Sequence, residues 1–592
     1  MSAEPGLDEI TLGNIRDAHT VHGIPGDHYQ IPYRNFRHLL LLQSKASPDK
    51  TFLIHYDAEG NREELSYAEV SARVQQTANM LAEDLGVRRG DRVATIGYNH
   101  SDTVMIYFAC WVLGAAVAPQ NVAEDDRRIA FILRNSEAVV CLVREEYLER
   151  AQRIIYGADS DPDLGAPNIR QVVQVGGAAG GDFMHFHQTV KNLPNTYFND
   201  EAEPTLADEA LLVYTSGTTG APKGVVLTQY NLLVDAQGIA QWNAISGNQR
   251  LMCVLPIHHV NGIIMTLVTP LFAGASVVLN RAYSSSTFWR RIAAERVQIV
   301  SVVPTLLQFC LDYADAQAAK GEPIWGDGIH QQDLSRFRHL NCGAGTLAMA
   351  LVKGFEERFG FPVLHGYGLS ETTCYSCFLP IDLDWETHKH WLLDHGYPSI
   401  GCPIQANEMA IFAADGSGQQ LGAGERGEIC LRGHNVMSGY FKRPDANTET
   451  FKFGWFRSGD EGFYEVDAQG RAFFFITGRI KELINRGGVK FSPFSIEETL
   501  LEIKGVKVAL AIGFDNKYHG EEVGAYIVLQ PGAQLTADEI IAYCLTRMPF
   551  DKSPKVVIFG ENIPVTTTGK YQRLRLKELF REWENTQFKK PH

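Results

Sequence analysis

The residues best suited to chemistry lie between Thr215 and Gly224. The apolar run Leu211-Leu212-Val213-Tyr214 leads into Thr215-Ser216-Gly217-Thr218-Thr219-Gly220-Ala221-Pro222-Lys223-Gly224, ten residues with four hydroxyls, three glycines and one lysine. Glycines let backbone N–H groups approach an anion, hydroxyls donate to phosphate oxygens, and the lysine supplies charge. The spacing is not that of a GxxxxGK[ST] loop, and no GxGxxG is carried by a strand. Such density directly after a buried strand favours a phosphate cradle over a plain surface turn.

A cradle needs elements to hold it. Ser66 is placed to cap a helix whose apolar residues keep helical spacing through Leu81, Arg92-Val93-Ala94-Thr95-Ile96 reads as a short buried strand, and a helix follows over Ser101 to Leu113. Val139 to Val143 is another such strand. This alternation across most of the first 400 residues predicts α/β layers with largely parallel sheets. From Glu408 to Leu431 the pattern changes to short strands around the turn Asp415-Gly416-Ser417-Gly418, an antiparallel unit. Phe473 to Ile476 reads as a strand broken by Thr477-Gly478-Arg479. The last segment reads as α+β: helix Pro493 to Leu501, strands Val508 to Gly513 and Ala525 to Leu529, helix Ala537 to Thr546. Residues 1 to about 30 read as an irregular leader.

With 592 residues the chain holds several folding units. Its net charge of −15 argues against a nucleic-acid footprint, which needs clustered positive charge, while leaving room for a locally positive site. The ten cysteines form no framework, so free thiols in a reducing cytosol are expected, and Cys374 and Cys377 read as packing residues rather than zinc ligands. The N-terminus has no basic and apolar signal pattern. The most apolar stretch, Val104 to Pro119, is too short to span a membrane and reads as a buried helix and its strand. A cytoplasmic protein is expected.

Taken with four later segments, the loop resembles the phosphate-binding signature of the adenylate-forming superfamily, which includes acyl-CoA synthetases (AMP-dependent synthetases and ligases), peptide-synthetase adenylation domains and firefly luciferase. The segments are Gly366-Tyr367-Gly368-Leu369-Ser370-Glu371-Thr372, Arg457-Ser458-Gly459-Asp460, Gly478-Arg479-Ile480-Lys481-Glu482 and Pro564-Val565-Thr566-Thr567-Thr568-Gly569-Lys570. They follow in the family's order, and the resemblance spans roughly residues 35 to 580. It implies a large N-terminal α/β domain of layered sheets with a small β unit, followed by a small mobile α+β C-terminal domain. The expected division is a leader at 1–34, the large domain at 35–480 and the small domain at 481–592.

The resemblance also implies roles. ATP would lie on Thr215, Ser216, Gly217, Thr218, Thr219, Gly220 and Lys223, with Gly343, Ala344, Gly366, Tyr367, Gly368 and Ser370 around the nucleotide. Tyr367 offers adenine a flat face. Glu371 is the Mg²⁺ carboxylate, with Thr215 as a second oxygen ligand. Asp460 accepts the ribose hydroxyls, and Arg479 contacts sugar or phosphate. Lys570 bridges the carboxylate and the α-phosphate, offsetting the repulsion of two anions. Lys481 is the hinge, and Gly487 and Gly488 line a tunnel for coenzyme A. Ser492-Pro493 starts a helix, with Ser495 where relatives usually carry Glu, so a capping box is lost.

The acyl pocket is implied by Leu255-Pro256-Ile257-His258-His259-Val260-Asn261-Gly262, with His259 at the position bordering the carboxylate and His258 replacing a frequent aromatic. Val303-Pro304-Thr305 and Cys342-Gly343-Ala344-Gly345-Thr346 are expected as opposite walls. No Lys or Arg occurs in these segments, which favours a neutral-tailed monocarboxylic acid, with a fatty acid as the first choice. The implied activity is AMP-forming acyl-CoA synthesis from the acid, ATP and coenzyme A. A stand-alone domain loading a separate carrier protein and an aryl-CoA ligase stay open. No carrier-like segment follows Lys570, so loading in cis is not expected. The sequence leaves the oligomeric state undetermined.

Overall fold

The computed structural model describes residues 6–196, 203–215, 222–326, 328–564 and 571–590. Among these, the strands form three sheets of thirteen, eight and five strands.

The thirteen-stranded sheet has a parallel half. Its strands Thr51–Tyr56, Ser276–Asn280, Arg250–Cys253, Ile299–Val302, His339–Cys342 and Val363–Tyr367 lie side by side in that order. Ser276–Asn280, Ile299–Val302 and His339–Cys342 are buried at every position, as strands covered on both faces must be. Beyond Val363–Tyr367 the pairing turns antiparallel through Cys377–Phe378, Ser399–Pro403, Ala472–Arg479, Phe456–Val466, Gly427–Gly433 and Asn407–Phe412. In the eight-stranded sheet, Glu209–Thr215 joins a parallel set through Ala116–Gln120 and Arg92–Ile96 on one side. On its other side it pairs antiparallel with Lys223–Thr228.

Helices close these sheets into one core. Ser101–Leu113 is buried at all thirteen positions; the His100 side chain accepts the Asp102 N–H at its start, and Gly114 ends it at φ 77°. With Tyr67–Asn79 and Gln229–Trp242 it packs into an apolar cluster that includes Phe52 and Leu53 of the first sheet and Val93 and Val117 of the second. The five-stranded sheet, built on Gly520–Leu529 and Val506–Asn516, is the centre of the small C-terminal domain and packs against Pro493–Leu501 and Ala537–Arg547.

Several expectations need correction. The N-terminal segment is not irregular: Asp8 accepts the Thr11 N–H at 2.7 Å, capping the helix Glu9–Ala18, whose Thr11, Ile15 and Ala18 are buried. The helix begun at Ser66 has the capping box with Glu69, but it ends at Asn79 and loosens into a wider turn over Met80–Asp84. Thr477-Gly478-Arg479 does not break its strand, because pairing with Phe456–Val466 carries the strand on to Arg479. Ser492 stands at the helix start with Pro493 in the first turn, yet its hydroxyl donates to the Thr477 carbonyl and makes no capping bond. Ser495 donates to the Ser492 carbonyl instead of closing a box.

Cys374 and Cys377 are buried free thiols in the main core. Among the described residues, no helix is long and apolar enough to cross a membrane.

Candidate active site

Four segments singled out in the sequence leave the C-terminal ends of neighbouring parallel strands: Leu255 onward, Val303 onward, Gly343 onward and Gly368 onward. The carboxyl ends of parallel strands are where open α/β sheets take ligands, because the connecting loops there are free of the hydrogen-bond ladder. Since Ile299–Val302 and His339–Cys342 are direct neighbours, Val303-Pro304-Thr305 and Cys342 to Thr346 stand beside each other and not as opposite walls. A methyl group on Gly345 would lie 3.4 Å from Pro304 Cδ, ordinary packing contact.

Glycines here are required by close backbone approach. A Cβ on Gly368 would lie 1.8 Å from the Cys374 carbonyl oxygen, one on Gly366 2.5 Å from the Phe378 ring, and one on Gly343 2.8 Å from the Tyr375 ring. The turn after Gly343 continues through Ala344 at φ 65°, an uncommon conformation for a residue with a side chain.

One polar chain runs Tyr367–Asp460–Arg479. The Tyr367 hydroxyl donates to Asp460 Oδ2 at 2.7 Å, and Arg479 Nε lies 3.1 Å from Asp460 Oδ1. Asp460 is buried, and its carboxylate holds the Arg479 guanidinium above its ordinary value. Burial, reinforced by Asp460, raises the Tyr367 phenol far above its usual range, so this hydroxyl stays a donor.

A second group joins Glu371, Tyr440 and Lys223. Glu371 sits in the single turn Ser370–Thr372, and its Oε1 accepts the Tyr440 hydroxyl at 2.8 Å. The Lys223 ammonium lies 4.1 Å from the centre of the Tyr440 ring. Burial lowers the Lys223 pKa; Glu371 opposes the shift, and Lys481 adds to it by like-charge repulsion. Lys481 lies in the turn Ile480–Glu482, which in the chain stands between the strands of the large sheet and those of the small one. Thr215 pairs with Lys223 across the strand pair. Ser216, Gly217, Thr218, Thr219, Gly220 and Lys570 lie outside the described residues.

The histidine pair lies in the chain leaving Arg250–Cys253. The rings of His258 and His259 are 4.4 Å apart. His258 is buried, its Nε2 has no hydrogen-bond partner among the described residues, and burial drives its pKa far below the ordinary value, so it is neutral. Directly after it, Asn261–Val268 winds as a wide π-type helix, and a Cβ on Gly262 would lie 2.4 Å from the Pro256 carbonyl oxygen. Gly487 (φ 59°) and Gly488 (φ 90°) form a two-residue hairpin turn in the small domain.

Sequence reasoning passed over Tyr440, although the Gly439-Tyr440 pair after the antiparallel unit was a visible signal. It also passed over Asn99, whose Nδ2 donates to the Leu255 and Asn280 carbonyls and whose Oδ1 accepts the Ile257 N–H, clamping the histidine segment to the other sheet. No local pattern marks that residue.

Residues 41–441 match the AMP-binding enzyme family, and residues 495–570 match the AMP-binding enzyme C-terminal domain. The chain is 32% identical over 522 residues to a probable CoA ligase, CCL9, of Humulus lupulus, covering 87% of this chain and 91% of that protein. It is 30% identical over 526 residues to an oxalate–CoA ligase of Arabidopsis thaliana, covering 88% and 94%. Among solved structures, the anthranilate CoA ligase AuaEII in complex with anthranoyl-AMP superposes with a TM-score of 0.79 at 25% identity, covering 93% of this chain and 98% of that one. With its fold, its two matched regions and these relatives, the chain belongs to the AMP-binding enzyme family and is an acid–thiol ligase.

Proposed function

We propose that this ligase activates a monocarboxylic acid with an uncharged tail as its acyl-adenylate and passes the acyl group to coenzyme A, with a fatty acid as the first substrate class to test. A carboxylate oxygen attacks the α-phosphorus of ATP and pyrophosphate leaves. The coenzyme A sulfur then attacks the acyl carbon, its proton goes to solvent, and AMP leaves with the attacking oxygen. No base is needed for the first step, since the acid is ionised at neutral pH.

The observation that carries this reading is the convergence of Lys223, Tyr440 and Glu371 with the Tyr367–Asp460–Arg479 chain at the strand ends. Lys223 and Arg479 supply positive charge for phosphates, and Asp460 keeps acceptor capacity for ribose hydroxyls. Glu371 and Thr215 offer only oxygen donors, which suits Mg²⁺. That ion, when bound, would neutralise phosphate charge. Lys570 is assigned to the meeting point of the two anions. Lys481, in the turn between the two domains, is assigned as the pivot that lets the small domain change faces, with the division placed at 480/481.

A second reading, an aryl acid, is favoured by Tyr375. Its hydroxyl accepts from Asn261 Nδ2 at 3.0 Å, Asn261 accepts from Ser301, and its ring fills the space that Gly343 leaves open. Asn261 and Ser301 thus fix this ring beside Gly343, and a fixed flat ring suits a compact, flat acid. The relatives named above, acting on oxalate and anthranilate, show that the framework serves acids of different size.

Pyrophosphate release across a panel of fatty, aryl and short acids, with and without coenzyme A, tests the proposal. Release with a neutral-tailed acid, and AMP turnover only on adding coenzyme A, is the expected result. Release confined to dicarboxylates, or adenylation that coenzyme A never discharges, would overturn it.

A further inference from the structure

The residues that touch substrate do not explain how the Glu371 turn keeps its shape. Two positions beyond Glu371, Thr373 has φ 65° and ψ −57°. For a β-branched residue this is an outlier, and such conformations persist only where the surroundings enforce them. The enforcing contacts come from the segment 435–440, about 60 residues further along the chain.

Asn435 is the centre of these contacts. It is fully buried, and three hydrogen bonds fix its side chain. Its Nδ2 donates to Asp235 Oδ1 at 2.8 Å and to the Tyr375 carbonyl at 3.2 Å, and its Oδ1 accepts from Asn407 Nδ2 at 2.7 Å. Its own carbonyl accepts the Thr373 hydroxyl at 2.6 Å. Two residues on, the Met437 N–H donates to the Glu371 carbonyl at 2.7 Å. The turn is therefore gripped at Glu371, Thr373 and Tyr375 by one short segment, which also delivers Tyr440 to the Glu371 carboxylate.

That segment is itself anchored from two further elements. Asn231 Nδ2 donates to the His434 and Val436 carbonyls, and His19 Nε2 lies 3.0 Å from the Val436 oxygen and 3.1 Å from the Met437 oxygen. Asp235 is fully buried, with no partner for Oδ2 among the described residues, and burial holds its carboxyl far above the ordinary range. Asp235 Oδ1 gives Asn435 a fixed, buried acceptor.

We propose that Asn435 is the positioning residue of the metal–nucleotide site, setting the Glu371 carboxylate through its hold on Thr373 and Tyr375. This rests on the reading of Glu371 as the metal carboxylate. Asn435 touches neither nucleotide nor metal; it acts through the turn. Groups that orient a metal ligand in this way matter nearly as much as the ligand itself.

The test is calorimetric titration of ATP into the full-length protein over a range of Mg²⁺ concentrations, with AMP binding in the absence of Mg²⁺ measured beside it. Asn435→Ala removes the side-chain hold on Tyr375. Thr373→Ala removes only the bond to the Asn435 carbonyl and carries the test if the first variant does not fold. Glu371→Gln is the control for the metal reading. The expected result is a rise of about tenfold or more in the Mg²⁺ concentration for half-maximal ATP binding in Asn435→Ala, with a smaller rise in Thr373→Ala and metal-free AMP affinity retained. Equal loss of ATP and AMP binding would mean a merely structural role. An unshifted Mg²⁺ dependence in the positioning variants beside a shifted Glu371→Gln would refute the positioning claim alone. An unshifted Glu371→Gln would remove the reading beneath it. Each of these three outcomes overturns the proposal.

Discussion

Tyr440 donates its hydroxyl to Glu371 Oε1 at 2.8 Å while its ring lies 4.1 Å from the Lys223 ammonium, so one side chain tethers the acidic and basic members of the site. Glu371 and Lys223 compensate each other through it, and both are held near the strand ends before any substrate arrives. Preorganised charge of this kind costs no reorganisation at the moment of reaction.

Tyr440→Phe removes the tether to the carboxylate and keeps the ring under Lys223. A hydrogen bond to a charged group contributes about 1.5–3 kcal/mol, so kcat/KM for Mg·ATP falls by about tenfold or more. Tyr440→Ala also loses the contact with Lys223 and falls further. Steady-state kinetics at saturating acid checks the order; equal activity in Tyr440→Phe and the parent would show that the tether contributes nothing.

Docking of the small domain is predicted to depend on pH through Glu498. Its Oε1 accepts the Met349 N–H of the large domain at 3.3 Å, and burial raises its carboxyl from an ordinary 4.5 to about 7. A carboxyl with a raised pKa in the docked state contributes fully below about pH 4.5 and loses that contribution as pH rises through about 7. Limited proteolysis at the connector around residues 480–484 should therefore accelerate between pH 5.5 and pH 8, about the interval where the docked carboxyl titrates. Glu498→Gln, neutral throughout, should flatten the profile. The Lys507–Asp312 ion pair, at 2.8 Å, is a second link across the same contact. An identical profile in Glu498→Gln would refute the assignment.

Gly368→Ala drives a methyl group against the Cys374 carbonyl, which is backbone and cannot swing aside. Overpacking of this sort costs typically about 1–3 kcal/mol, seen as a lower unfolding midpoint with activity lost. Gly343→Ala meets the buried Tyr375 ring at 2.8 Å and the Gly366 carbonyl oxygen at 3.0 Å, so stability falls here too, and the displaced ring changes the ranking of acids by chain length. An unchanged ranking would separate Tyr375 from the acyl site.

Much of this was legible in the residues themselves, and the exceptions share a cause. Ser101–Leu113 and Arg92–Ile96 have the expected bounds because their apolar runs are uninterrupted and their ends are marked, by Gly114 in the first case. The glycines at 343, 366 and 368 stood out because a missing side chain is a local fact that the fold then uses. The strand through Thr477-Gly478-Arg479 was missed because its continuation depends on a partner strand and not on its own residues. Helix Glu9–Ala18 was missed because its buried stripe is sparse and rests on distant chain, including a contact of Thr11 with Thr448. Tyr440 and Asn435 act on residues about 60 to 200 positions away, a distance over which no periodicity carries information.

The most direct test of the central claim uses an acid labelled with ¹⁸O in its carboxylate, with ATP, Mg²⁺ and coenzyme A. If the carboxylate attacks the α-phosphorus and AMP then leaves the acyl carbon, each AMP carries one labelled oxygen and pyrophosphate carries none. Unlabelled AMP, or label in pyrophosphate or in ADP, would contradict the acyl-adenylate route.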